Sequence, residues 1–299
     1  MKFQKSIARH PVIFAVATLL ACLGVYSAVA ATGLPPFIPP AIAAAVALAA
    51  YWVSRPILWA GDARKRDARV LALAAIGAAV VVSALGIALG AFEPHASDIP
   101  LVDGEGTGAS PIVSLLAISA VCVFTGIYEE AAFSAVLFGA LRIYYARDDS
   151  AKPIDSSTAD ASNPSDYAPV RSLSRHMFGK AAAVQGLLFA FAHIVTGLVA
   201  AAGDTTPVMA GQMAVWFIAT FLFGVVTAVL MEYGRSLALN AVVHASYDFA
   251  LFGPLALKTG TMRSATITGD ATDLVLFAAQ ACILAIILVA FYAIARRRG

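Results

Sequence analysis

Charge is scarce in this chain: Asp, Glu, Lys and Arg together make up 13% of its 299 residues. Apolar residues account for 60% and the mean hydropathy is +0.82, a balance that excludes an ordinary water-soluble domain. A net charge of +2, with the basic residues scattered over connecting segments, supplies no basic stripe for a nucleic acid. Cysteine is also sparse. Cys22, Cys122 and Cys282 lie far apart inside apolar runs, with no Cys-x-x-Cys spacing, and read as small packed residues rather than metal ligands. His-Glu-x-x-His, the commonest zinc-peptidase signature, does not occur.

What the chain does have is long hydrophobic runs. Crossing a hydrocarbon core takes about 20 residues of helix, and the sequence offers about eight such stretches, near 11–32, 40–60, 70–92, 111–138, 181–202, 208–231, 236–253 and 272–295. In lipid the backbone must satisfy its own hydrogen bonds, so each is expected as a helix. The fold class is therefore all-α, a polytopic membrane protein.

Basic residues in short loops mark the cytoplasmic side. Lys2, Lys5 and Arg9 precede the first stretch; Arg64, Lys65, Arg66 and Arg69 join the second and third; Arg142 to Lys180 join the fourth and fifth; Arg235 joins the sixth and seventh; Arg296, Arg297 and Arg298 follow the eighth. All fall on one side, which places both termini in the cytoplasm. The first stretch has the basic start and the small residues Ala28-Val29-Ala30 of a signal sequence, but its apolar run is longer than a signal core and it is expected to be retained.

Three regions follow: an N-terminal three-helix membrane region (1–110), a central membrane core (111–253) and a C-terminal loop and helix (254–299). The core carries a cytoplasmic insert (146–180) rich in Ser, Asp, Pro and Ala, a composition that buries too little apolar area to offset its ordering entropy. Gly86 and Gly90 form a Gly-x-x-x-Gly arrangement, expected to pack helices closely.

Very few ionisable side chains lie deep inside the stretches: Glu129, Glu130, His193, His244 and Asp248. A carboxylate at a helix centre costs on the order of 2.5–3.5 kcal/mol on insertion scales, so three of them call for partners or a wet cavity. Glu129 and Glu130 come late in an outside-to-inside helix, whereas His193 and His244 sit on helices that start inside, so all can converge in the cytoplasmic half. His244 and Asp248 share a helix face with Asn240, as Phe189 does with His193. Glu129 and Glu130 point about 100° apart on a helix, so one is expected to face the pocket and the other to bridge or orient a partner.

The sequence reads Glu129-Glu130-Ala-Ala-Phe133-Ser134, then Phe189-Ala-Phe-Ala-His193, then His244-Ala-Ser-Tyr-Asp248. In this order, on three helices, it resembles the CAAX-protease and bacteriocin-processing (CPBP) family of intramembrane endopeptidases, whose pattern is Glu-Glu-x-x-x-Arg, Phe-x-x-x-His and His-x-x-x-Asn or Asp. The resemblance implies hydrolysis of peptide bonds in membrane-associated proteins or peptides. It assigns Glu129 as general base, His193 to positioning the water, Glu130 as a supporting carboxylate and His244 to the oxyanion; Asp248 reads either as orienting His244 or as a metal ligand. Two cofactor readings stand: no required metal, or zinc held by Glu129, His193, His244 and Asp248. Ser134 departs from the pattern by standing where it has arginine, and Arg142, about two turns on, reads as an interfacial side chain. The same polar residues would also serve a non-catalytic scaffold or a proton-coupled transporter. The expected partners are a membrane-associated substrate and the lipid bilayer, with no nucleic acid. The Ala-rich composition and absence of organelle signals point to a bacterial plasma membrane.

Overall fold

The structure, a computed structural model, describes residues 2–59, 65–94, 98–101, 110–149, 175–200, 206–263 and 266–297. Arg64, Arg298 and most of the insert 146–180 lie outside the described residues. A short helix α1 (Lys2–Arg9) is followed by α2 (Pro11–Ala30), α3 (Ile38–Leu58), α4 (Lys65–Leu89), α5 (Pro111–Glu129), a π-helical segment (Glu130–Leu137), α6 (Phe138–Asp149), α7 (Arg175–Ala200), α8 (Pro207–Gly234), α9 (Leu237–Thr259) and α10 (Ala271–Arg297). Strands of two residues each, β1 (Ile99–Pro100) and β2 (Thr261–Met262), pair antiparallel with Ile99 opposite Met262.

Each of the eight apolar stretches is a helix, so the chain is an all-α polytopic membrane protein. Seven helices among the described residues are long and apolar enough to cross a membrane. The eighth, α9, is 23 residues long but carries Asn240, His244, Asp248 and Lys258, which lower its hydropathy. Its polar residues are tolerable in lipid because Asn240 and His244 turn inward with Ala241, Val243, Tyr247 and Ala250.

Local chemistry fixes the helix ends. Proline stands in the first turn of α2, α3, α5 and α8, where its missing N–H costs nothing. Thr206 accepts from Met209 N at 3.2 Å to cap α8, and Ser236 accepts from Leu239 N at 3.2 Å to cap α9. Arg235, at φ 49°, turns α8 into α9 through a two-residue link. The Gly-x-x-x-Gly arrangement brings no helix backbone into close contact among the described residues, although Gly86 faces the Leu276 side chain of α10. Gly90 ends α4 in the left-handed region (φ +70°), and Gly86 accommodates the Phe92 ring folded back from that turn.

One core runs through the bundle, drawing Ala15, Tyr51, Leu71, Phe133, Phe189, Phe223 and Leu284 from all three sequence regions. α8 is its axis, with 56% of its most apolar window buried, against 17% for α2 at the periphery. Leu20, Leu73, Val80, Leu116, Ile286 and Val289 point outward, as lipid-facing positions do.

The fourth stretch differs from its expected end at 138. From Pro111 to Arg147 it is a continuous 37-residue run, up to about 55 Å at a rise of ~1.5 Å per residue, so α6 continues past the hydrocarbon core. There Arg147 donates to the carbonyls of Ala8 and Arg9, tying the end of α6 to α1. At the opposite end Arg263 pairs with Asp273 at 2.8 Å and donates to Ala91 O at 2.5 Å, while Lys258 pairs with Glu93 at 2.8 Å.

Candidate active site

Two close helix crossings place the polar residues. Gly126 lets α5 lie against the backbone of α9: a Cβ there would come within 2.8 Å of Ala241 O and 3.1 Å of Ala245 N, on either side of His244. Gly224 of α8 similarly meets Gly186 of α7, where a Cβ would lie 2.9 Å from Gly186 Cα and 3.2 Å from Phe189 Cβ. Without these glycines the helices carrying Glu129, His193 and His244 would stand further apart.

Between these crossings the five expected residues come together. Glu129 Oε2 lies 3.3 Å from His193 Nε2 and 3.5 Å from His244 Nε2. His244 Nδ1 meets Glu130 Oε1 at 2.7 Å, and its Nε2 stands 3.7 Å from Asp248 Oδ1. His193 Nδ1–H donates to Phe189 O one turn back at 2.8 Å, which turns Nε2 toward Glu129. Adjacent carboxylates thus approach different nitrogens of His244. Glu129 ends α5 and Glu130 opens the π segment, a wider turn that recurs at functional sites in other proteins.

The cluster is graded from closed to open. Side-chain exposure is 0% for Glu130 and 4% for His244, but 14% for Glu129, 18% for Asp248 and 23% for His193. The inner end is aromatic: Phe223 stands edge-on to His244 with ring centroids 5.0 Å apart, and Phe189 lies 4.3 Å from His193 and 5.2 Å from Phe133. These rings fix the imidazole planes and keep water from the inner face, which strengthens the electrostatics of the cluster. Chemically, this is a carboxylate between a partly accessible imidazole, His193, and a buried one, His244, backed by a second, fully buried carboxylate.

Among the described residues no group of three or more His, Cys, Asp or Glu side chains is arranged to hold a metal ion. A zinc ion, where bound, would be held by Glu129, His193, His244 and Asp248 and would polarise a water there; no step below passes through it.

Ser134 is fully buried and donates to Thr227 Oγ1 of α8 at 3.0 Å. Arg142 is not the interfacial side chain its position implied. It is 2% exposed, pairs with Glu232 Oε2 at 3.0 Å and faces the Trp59 ring at 5.9 Å. Arg235 joins the same group, 2.9 Å from Glu232 Oε1 and 4.8 Å from the Trp59 centroid. Glu232 is the member that the sequence reading passed over. Its three-residue spacing from Arg235, just past an apolar run, was the available signal.

Residues 111–250 match the model of a family described as Type II CAAX prenyl endopeptidase Rce1-like. The match covers just under half of the chain, the part that holds all three motifs, and bears out the resemblance read from them. No curated protein and no solved structure matches the chain.

Proposed function

We propose that this protein is an intramembrane endopeptidase that hydrolyses peptide bonds of membrane-associated proteins or peptides, with Glu129 as general base. The observation that carries the proposal is the placement of Glu129 Oε2, a buried oxygen, within 3.5 Å of both His193 Nε2 and His244 Nε2. The family matched over residues 111–250 is one of endopeptidases, which supports the same reading.

In this mechanism a water held by Glu129 and His193 gives one proton to Glu129 as its oxygen attacks the scissile carbonyl. His193 donates Nδ1–H to Phe189 O, leaving Nε2 as the atom that orients the water. The carbonyl oxygen becomes an oxyanion and receives a hydrogen bond from His244 Nε2–H, while the opposite Nδ1–H is held by Glu130. Collapse of the tetrahedral intermediate breaks the C–N bond. The proton stored on Glu129 goes to the departing amine, and the carboxylate is restored. Asp248 orients His244 from the open side. No metal is required in this scheme. We place both termini in the cytoplasm of a bacterium, with the site in the inner half of the plasma membrane.

The purified protein is tested in detergent against a prenylated peptide and a transmembrane peptide. Glu129→Ala and His193→Ala are each expected to lower cleavage at least ~100-fold with the melting temperature retained. Cleavage at the parent rate by both variants would reject the proposal, as would liposome transport that depends on both residues without any cleavage. Activity is expected to survive chelation, with elemental analysis finding no bound zinc. Loss on chelation that added zinc restores would replace this scheme with a metallopeptidase.

A further inference from the structure

We infer that Ser134, Thr227 and Asn240 form a positioning layer that sets the Glu130–His244 hydrogen bond, and through it the aim of His244 at the oxyanion; this rests on the endopeptidase reading of the same site.

At 2.7 Å, the contact between His244 Nδ1 and Glu130 Oε1 is the shortest in the cluster. Glu130 is completely buried, and its second oxygen has no hydrogen-bond partner among the described residues. A carboxylate held by one contact keeps its alignment only if the backbone beneath it stays in register with α9.

That register has a directional lock one turn away. Ser134 follows Glu130 by four residues in the π segment, and Asn240 precedes His244 by four in α9. Ser134 Oγ donates to Thr227 Oγ1 at 3.0 Å, and Thr227 Oγ1 donates to Gly224 O at 3.0 Å. Asn240 Nδ2 donates to Thr227 O at 2.9 Å. Three elements are thereby joined through one residue of α8, and Ser134, Thr227 and Asn240 are all 0% exposed. No water competes at such a site, so sliding one helix would leave a hydroxyl or amide unpaired in an apolar interior. Apolar contacts would tolerate small slides; hydrogen bonds between fixed atoms do not. On its other side α9 is held against α5 by the backbone contact at Gly126, so it cannot follow a displaced π segment.

The layer acts through Glu130 and His244 and touches no reacting atom. Its removal therefore lowers turnover more than substrate binding. Thr227→Val keeps the side-chain shape and deletes both hydroxyl bonds. A misplacement near 1 Å costs up to about 100-fold, so kcat is expected to fall ~10- to 100-fold while KM moves less than ~3-fold. Ser134→Ala should do the same, and Thr227→Ser, which retains the hydroxyl, should return kcat to within ~3-fold of the parent. Parent-like kcat in both Thr227→Val and Ser134→Ala overturns the inference, as does a rise in KM at constant kcat or a failure of Thr227→Ser to rescue. Should Thr227→Val fail to fold, Ser134→Ala decides alone. Glu129→Ala, run alongside, separates the two levels: an active Glu129→Ala removes the endopeptidase reading, whereas an inactive one beside unaffected Thr227→Val and Ser134→Ala removes only the layer.

Discussion

Both nitrogens of His244 face carboxylates, Glu130 on the dry side and Glu129 with Asp248 on the open side. The two sides do different work. Glu130 makes the short contact to the ring, whereas Asp248 Oδ1, at 3.7 Å, is too distant for a hydrogen bond and sets a polar atom beside Nε2. An asparagine at 248 would keep an oxygen facing Nε2 and remove only the charge. Asp248→Asn is accordingly expected to retain cleavage within about 5-fold, while Asp248→Leu, which presents no polar atom, should lose at least about 10-fold. Steady-state rates on one peptide decide this, and equal losses in both variants would show that the charge itself is needed.

At the scale of elements, the π segment is the piece on which the site turns. It lets consecutive glutamates address one imidazole, puts Ser134 against α8 and hands the chain to α6. α6 is then clasped near its middle, where Arg142 meets Glu232 at the end of α8 and the Trp59 ring at the end of α3. Trp59 in turn donates its indole N–H to Ala135 O at 2.7 Å, so the clasp reaches back into the π segment. Two guanidiniums share the Glu232 carboxylate, and removing it would leave the buried Arg142 and the half-buried Arg235 without their common counter-charge. Glu232→Leu is expected to cost ~3–5 kcal/mol, seen as a lower melting temperature in detergent. Arg142→Leu should cost less, since Glu232 keeps its contact with Arg235.

For the whole molecule, the two ends of the bundle are unlike. One carries the basic α1, the Arg147 contacts to Ala8 and Arg9, and the Arg142–Glu232–Arg235 clasp. The other carries the paired strands and the Arg263–Asp273 and Lys258–Glu93 contacts, in which basic residues are balanced by acidic ones. We propose that the net basic end is the cytoplasmic one, as the excess of Lys and Arg on that side implies. Tags at the two termini are thus expected to be digested by protease added to inside-out vesicles and protected in right-side-out vesicles; opposite behaviour of the two tags would require an odd number of crossings.

The sequence by itself determined the eight helices, because apolar length and the need to satisfy the backbone in lipid leave a spanning segment no other solution. It also determined the candidate site. Deep carboxylates and imidazoles are so costly in lipid that Glu129, Glu130, His193, His244 and Asp248 stood out one by one, and all five do meet. The tertiary structure alone decided what pairwise spacing along a chain does not encode: which nitrogen each carboxylate addresses, that Gly126 and Gly224 rather than Gly86 and Gly90 mark the close crossings, and that Arg142 points inward. A helical sequence carries the same residues whether its turn is α or π, and a side chain near a helix end reaches interface or interior according to its neighbours. Only when Trp59, Glu232 and Thr227 arrive from distant parts of the chain does burial become cheaper than exposure for Arg142 and Ser134.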